Sequence, residues 1–198
     1  MSTVAKKRLF SVEEYLVFEA DSLTKHEYYR GEVFAMAGAT IAHNVIAGNV
    51  FAHLHALLRG KECRPFGSDQ RIKVEKAGLF TYADTAVICG EVERAKDDPH
   101  SATNPRVIIE VLSESTEGKD RGRKLKLYLK LDSLREYVLI AQDEPRIDKL
   151  VRNDDGTWTM SIVEELKEWL ELDSIGCRLA MAEIYDGIKF EPTPMPID

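Results

Sequence analysis

The sequence lacks the features that would assign it to a membrane or secreted class. No apolar run reaches the roughly 18 residues that a membrane-spanning helix needs. The basic residues Lys6, Lys7 and Arg8 are not followed by an apolar segment, so we expect no secretory signal. The sequence therefore predicts a cytoplasmic protein that makes no membrane contact.

Cysteine is scarce. The chain has three cysteines, Cys63, Cys89 and Cys177, and none of them forms a C-x-x-C pair. An odd number at wide spacing does not suggest a disulfide framework or a zinc site. We expect three ordinary buried thiols in a reducing cytoplasm.

The chain also lacks an excess of positive charge. Its formal net charge of −7 does not suggest a general nucleic-acid coat protein, so a contact with nucleic acid needs a local basic surface. The densest basic cluster comprises Lys119, Arg121, Arg123, Lys124, Lys126 and Lys130. A hydrophobic content of 44% over 198 residues predicts one folded domain with a sizeable core.

One apolar run stands out against this background. Residues 107–112 read VIIEVL, which is typical of a strand buried on both faces, and the single acid within it is Glu110. Taking an unpaired carboxylate out of water costs several kcal/mol. Glu110 therefore needs a partner.

A helix is predicted over residues 116–131, with Ser115 or Thr116 as its cap. On a helical wheel, Asp120 and Lys124 are one turn apart within the apolar arc. They form either a solvated i,i+4 pair, worth a few tenths of a kcal/mol, or a charged pair aimed at the C-terminal end of the Glu110 strand. Tyr128 is interpreted as a core residue.

The remaining chain predicts a mixed sheet with helices on its faces and additional hairpins, an α/β fold. The loop 91–104 is expected on the surface, and residues 164–172 have helical spacing. The helices are predicted at 11–20 and 40–59, the hairpins at 25–37 and 146–162, and the single strands at 63–65, 70–74, 85–89 and 136–141.

Four segments carry a resemblance to a known family. They are YRGEVFAMAGATIAH (29–43), TYADTAVICG (81–90), IIEVLSESTEGKDRGRKLKLY (108–128) and REYVLI (135–140). With them the chain resembles, over about residues 10–188, the Uma-two family of the PD-(D/E)xK, or restriction-endonuclease-like, nuclease superfamily. The resemblance implies a restriction-endonuclease-like core in a single domain, residues 1–198, with a loose tail at 189–198.

The resemblance also implies a catalytic site. The acidic pair of the family falls on Asp84 and Glu110, which with the carbonyl of Val111 would hold Mg²⁺, or Mn²⁺ as a substitute. The standard E-x-K spacing places its lysine at Leu112, so the resemblance implies that the lysine has moved to Lys124 on the next helix. Asp120 would support it from one turn earlier.

Two further residues match the family pattern. Glu32 would add a metal contact from an early element, or it is a solvated glutamate of the hairpin. His43 would bind a phosphate or a water near the site, or it is a core or near-cap histidine with a backbone partner. Both alternatives stay open from the residues alone.

The sequence thus predicts a metal-dependent endonuclease that hydrolyses DNA as a symmetric homodimer. The residues expected to meet the phosphate backbone are Lys119, Arg121, Arg123 and Lys126. No base-reading element separates DNA from RNA as the substrate. The alternative is an inactive nuclease-fold protein that acts as a nucleic-acid-binding or assembly module, which the net acidity and the missing strand lysine favour.

Overall fold

The computed structural model describes residues 8–113 and 117–190, without the side chain of Lys119. The predicted caps Ser115 and Thr116 lie outside the described residues, as does the predicted loose tail from residue 191 onward. Among the described residues, no helix is both long enough and apolar enough to span a membrane.

The described residues form twelve strands, four helices and two short 3₁₀ turns, Glu75–Ala77 and Asp173–Ile175. The strands are β1 (His26–Tyr29), β2 (Glu32–Ala35), β3 (Cys63–Gly67), β4 (Arg71–Val74), β5 (Leu79–Tyr82), β6 (Thr85–Cys89), β7 (Val107–Leu112), β8 (Glu136–Ala141), β9 (Ile147–Arg152), β10 (Trp158–Val163), β11 (Trp169–Leu172) and β12 (Cys177–Ala180). The helices are α1 (Val12–Ala20), α2 (Ile41–Leu57), α3 (the consecutive segments Glu117–Lys119, Asp120–Lys124 and Leu125–Tyr128) and α4 (Met181–Ile184).

Local sequence signals explain the first elements. Ser11 caps α1 in a capping box, in which its hydroxyl accepts the Glu14 N–H and the Glu14 carboxylate accepts the Ser11 N–H. Thr40 caps α2 through the N–H of His43. The predicted hairpin forms as β1 and β2, with Arg30 and Gly31 in its turn. These predictions are confirmed.

The sheet around the predicted central strand has six strands in the order β10-β9-β8-β7-β6-β3. Strands β7 and β8 are parallel and the other pairs are antiparallel. Alternate residues of β7 face opposite sides: Ile109 belongs to the apolar core under α2, and Ile108 to the core under α3. The predicted mixed sheet with helices on both faces is therefore confirmed.

A second sheet of four antiparallel strands, in the order β2-β1-β5-β4, carries the hairpin. Its strand β5 is buried at every residue and was not predicted from the sequence. Gly78 precedes it in the left-handed conformation (φ 65°), so the chain reverses directly from β4 into β5. This sheet brings β1 and β5 close to α3.

The prediction of one regular helix over 116–131 is wrong in its middle and at its end. The segment Asp120–Lys124 is π-helical, and the helix ends at Tyr128. A π-helical turn is wider than an α-helical one, so a wheel drawn for an α-helix misplaces its side chains. Asp120 and Lys124 are 4% and 7% exposed, which rules out the solvated pair.

The loop 91–104 lies largely on the surface, as predicted, whereas the helical spacing read at 164–172 is wrong. The loop 91–104 is anchored, because the completely buried Ala102 exchanges backbone hydrogen bonds with Arg71 and Lys73. Residues 164–172 form no helix. They end in β11, where buried Leu170 and Leu172 alternate with exposed neighbours against β12, and this is the spacing of a strand.

The expectation of three free thiols is wrong as well. Cys63 and Cys89 form a disulfide between β3 and β6, where the two residues are direct partners in the antiparallel register. Cys177 alone is free among the described cysteines, and it is buried as predicted. Cysteines 26 residues apart give no sign in the sequence that two strands place them side by side.

Candidate functional site

Two acids converge at the C-terminal end of β7. Asp84 immediately precedes β6, whose antiparallel register pairs Thr85 with Ile109. The Asp84 carboxylate accepts the backbone N–H of Val111 at 2.8 Å, and the backbone nitrogen of Asp84 lies 3.4 Å from Glu110 Oε2. Two residues that are 26 positions apart in the chain thus meet at the C-terminal end of β7.

Glu110 is deeply buried, and its two oxygens have different partners: the long hydrogen bond from the Asp84 N–H reaches Oε2, and the shorter contacts reach Oε1. Glu110 Oε1 lies 2.8 Å from Lys124 Nζ and accepts the Tyr128 hydroxyl at 3.0 Å. Burial raises the pKa of Glu110 to about 8. The charge of Lys124 opposes this rise, and Asp84 and Asp120 add to it. A further cation beside Oε2 would favour the ionised form of this carboxylate.

Lys124 is the buried cation of the site. Its Nζ donates to the Tyr82 carbonyl at 3.2 Å and lies 3.4 Å from Glu27 Oε1 and 3.7 Å from Asp120 Oδ1. Burial lowers the pKa of Lys124, but the surrounding negative charges, Glu110 first, raise it well above its ordinary value. The side chain is therefore a fixed ammonium group at neutral pH.

His43 approaches the same acids from the first turn of α2. Its Nε2 lies 3.2 Å from Asp84 Oδ2, and its Nδ1 is buried without a hydrogen-bond partner among the described residues. Burial lowers the pKa of His43, but Asp84, the charge of Asp120 and the Val111 carbonyl outweigh it and raise the pKa. The imidazole thus adjoins two of the three predicted metal ligands, Asp84 and the carbonyl of Val111.

Two residues of this cluster were not predicted as site residues. Glu27 on β1 is 3% exposed, and its Oε1 accepts the Thr81 hydroxyl at 2.5 Å beside Lys124. The sequence did contain a signal for Glu27, namely an acid beside the two tyrosines of a predicted strand. Glu110 stands out for the same kind of reason, as an acid within an apolar strand. Tyr128 is fully buried, as its interpretation as core required, yet its hydroxyl bonds Glu110.

The predicted basic residues are found in different surroundings. Arg121 is held by Glu117 and by the buried Asp148 of β9. Arg123 and Lys126 are exposed, and the guanidinium of Arg123 lies on the hairpin. The side chain of Lys119 lies outside the described part of the chain.

Glu32 begins β2, directly opposite Tyr29 in the hairpin register, and is partly exposed. Glu27 of the same hairpin lies 3.4 Å from Lys124 Nζ. A metal contact by Glu32 stays a prediction.

The donor atoms fit a hard cation. Within the described residues, no three His, Cys, Asp or Glu side chains are grouped so as to hold a metal by themselves. Mg²⁺ does not need three, because it retains several waters and takes one or two carboxylates. Asp84, Glu110 and the carbonyl of Val111 offer only oxygen, the donor that Mg²⁺ and Mn²⁺ prefer.

The fold corresponds to that of a solved crystal structure. A crystal structure from Anabaena variabilis ATCC 29413, described as "a putative nuclease belonging to DUF820", superposes with a TM-score of 0.73. The match covers 89% of this chain and 98% of that one at 15% sequence identity. An identity this low supports the shared mixed α/β fold alone.

The sequence comparisons define the family. The profile of the Uma2 family, described as "Putative restriction endonuclease", matches residues 12–182, and the chain belongs to this family. Two relatives come from Synechocystis sp. (strain ATCC 27184 / PCC 6803 / Kazusa). The uncharacterized protein slr1290 is 36% identical over 91% of this chain and 93% of its own length. The uncharacterized protein sll1609 is 30% identical over 81% of this chain and 91% of its own length.

Proposed function

We propose that this protein is a Mg²⁺-dependent endonuclease that hydrolyses phosphodiester bonds in DNA. The observation that carries the proposal is the contact of 2.8 Å between Lys124 and Glu110 at the strand end where Asp84 also arrives. Metal-assisted phosphoryl transfer uses groups of this kind, two acids and a buried ammonium group at the end of one strand.

Asp84, Glu110 through Oε2, and the carbonyl of Val111 would hold the ion, with Mn²⁺ as a substitute. A bound ion of this kind polarises the phosphate and lowers the pKa of an attacking water. The protein contributes the alignment of its ligands, because the hydrogen bond from the Val111 N–H fixes the Asp84 carboxylate beside β7. Tyr128 similarly fixes the other oxygen of Glu110.

Lys124 acts as a charge and not as a base. Its raised pKa keeps it protonated, so it stabilises the negative oxygens of the phosphate and orients the water. Glu27 and the Tyr82 carbonyl hold the ammonium group in place before the substrate binds. Preorganised charge of this kind stabilises the transition state without a cost of reorganisation.

The basic surface for the phosphate backbone would come from the exposed side of α3, with Arg123 and Lys126. We infer a symmetric homodimer, because two strands of a duplex are cut most simply by two sites related by a two-fold axis. Light scattering of the purified protein, alone and with duplex DNA, measures its oligomeric state.

An inactive binding or assembly module is the second candidate. Leucine at position 112 and the pairing of Arg121 with two acids favour it, because both reduce the positive charge available to a substrate. Calorimetric titration with Mg²⁺ separates the two candidates, since the endonuclease must bind the ion.

The cleavage test uses plasmid DNA, linear duplex DNA and RNA, each with Mg²⁺, Mn²⁺ or a chelator. Wild type is compared with Asp84→Asn and Lys124→Met, which preserve approximate size. Lys167→Met is the control, because Lys167 is 80% exposed in a surface ion pair. We expect metal-dependent cleavage by wild type and the control, and loss of at least about 100-fold in the two site variants. Equal cleavage by all four proteins would eliminate the proposed site.

A further inference from the structure

Two arginines converge on one tyrosine of the hairpin. The guanidinium carbon of Arg123 lies 4.2 Å from the centroid of the Tyr29 ring, and that of Arg30 lies 5.3 Å from it. Arg123 is also 5.3 Å from the centroid of Phe34. Both distances to Tyr29 are within the range of cation–π attraction, so the aromatic rings hold the two charged groups on one surface.

The hairpin turn places a second exposed cation beside Tyr29. Arg30 has φ 49°, in the left-handed region that suits glycine, and it is the only described residue other than glycine with a positive φ. Both arginines are exposed, and their like charges repel across the ring. A two-residue hairpin turn of this type requires a positive φ at both of its residues, so the turn itself accounts for the conformation of Arg30 and presents its charge beside Tyr29.

The pair adjoins the candidate site. Arg123 immediately precedes the buried Lys124 in the π-helical turn. This turn directs Arg123 to the surface and Lys124 to the buried acids. Tyr29 lies two residues after Glu27 on β1. Glu32, opposite Tyr29 in the hairpin, adds one negative charge beside two positive ones.

We propose that Arg30 and Arg123, held on Tyr29, form a clamp for a phosphate of the nucleic-acid backbone that flanks the cleaved one. This inference rests on the proposed function and names residues that position its substrate. A planar guanidinium binds phosphate oxygens through two parallel hydrogen bonds. Stacking on an aromatic ring limits its rotation before binding, so less entropy is lost when the phosphate arrives.

The first test measures the binding of a fluorescently labelled DNA duplex by anisotropy, in chelator so that no cleavage occurs, over a range of salt concentrations. Each neutralised phosphate contributes about 0.9 to the slope of log K against log salt, so losing the one clamped phosphate in Arg30→Gln/Arg123→Gln should lower the slope by about 0.9 and weaken binding at least about tenfold. Arg178→Gln is the matched control. Arg178 is also exposed and stacked, 4.6 Å from the Trp169 centroid, on the β11–β12 ribbon that packs on the opposite sheet face. It should leave the slope unchanged.

A second pair of variants distinguishes a lost phosphate contact from a misfolded protein. Arg30→Gly should raise the unfolding midpoint, because glycine accepts this φ, and still weaken DNA binding. Tyr29→Leu keeps both charges but frees the guanidinium groups, so affinity should fall about threefold to tenfold with most of the salt slope retained.

The outcomes separate the two proposals. If wild type cleaves DNA but the double variant has the slope and affinity of Arg178→Gln, the clamp is wrong and the endonuclease stands. If wild type binds DNA with the expected dependence on Arg30 and Arg123 but does not cleave with any metal, the clamp stands and the endonuclease fails. If wild type neither binds nor cleaves DNA, both are wrong.

Discussion

Glu110 and Asp148 lie in one row of the sheet, separated by a single residue of the strand between them. Glu110 on β7 is the register partner of Leu139 on β8, and Leu139 is the partner of Asp148 on β9. Lys124 contacts the first acid and Arg121 the second. Helix α3 is therefore fastened to the sheet by two ion pairs, one of which belongs to the candidate site.

Asp148→Asn should loosen this attachment. The Asp148 side chain is only 2% exposed and accepts from both Arg121 and Arg146. Because each arginine is about a third exposed, we expect a loss of about 1–3 kcal/mol in the free energy of unfolding, below the value for a fully buried pair. Urea denaturation measures it. Asp154→Asn, in the exposed hairpin turn, is the control, and an equal midpoint for both variants would contradict the role of Asp148.

Glu27→Gln should slow cleavage without weakening DNA binding. The amide can still accept the Thr81 hydroxyl, but it no longer attracts the ammonium group of Lys124. Displacement of a catalytic group by about 1 Å costs about 100-fold, so we expect kcat to fall about tenfold to 100-fold. Steady-state kinetics and anisotropy give the two quantities. The exposed Glu13→Gln should match wild type, and an unchanged kcat in Glu27→Gln would show that Glu27 does not position Lys124.

The pKa of Glu110 predicts how stability depends on pH in metal-free protein. Burial raises this pKa from 4.5 to about 8, so the folded protein binds the proton more tightly than the unfolded chain. The stabilisation is complete below about pH 4.5 and is lost as the pH rises to about 8. For one proton the slope is at most about 1.4 kcal/mol per pH unit.

Chemical denaturation between pH 4.5 and 8 in chelator measures this slope for wild type and Glu110→Gln. His43, whose pKa is also raised, contributes with the same sign in both proteins, so the difference between the curves reports Glu110. Parallel curves would mean that Glu110 titrates as an ordinary carboxyl group.

The disulfide should stabilise the fold by a measurable amount. Cys63 and Cys89 are 26 residues apart, and closing a loop of this length restricts the unfolded chain by about 3.5 kcal/mol. A reducing agent should therefore lower the unfolding midpoint of wild type. It should have no effect on Cys63→Ser/Cys89→Ser, which is the control. An identical wild-type midpoint with and without reductant would mean that the two thiols are not bonded in solution.

Local patterns in the sequence were enough for the caps, the hairpins and the strand that contains Glu110. Ser11, Thr40 and the Arg30-Gly31 turn act through hydrogen bonds and backbone angles within a few residues, and these are readable from neighbours in the chain. The convergence of Asp84 with Glu110 was anticipated from family resemblance. The residues alone gave only the reason that Glu110 needs a partner.

By itself, the sequence determined the alternation of strands and helices and the presence of one acid that an apolar strand cannot bury alone. Only the tertiary structure decided that Glu27 joins the site, that Cys63 faces Cys89, and that a π-helical turn directs Lys124 inward and Arg123 outward. The physical reason is distance along the chain. Caps and turns are decided by interactions between near neighbours, whereas these contacts depend on strand register and on the width of one helical turn, which the packing of the whole fold selects.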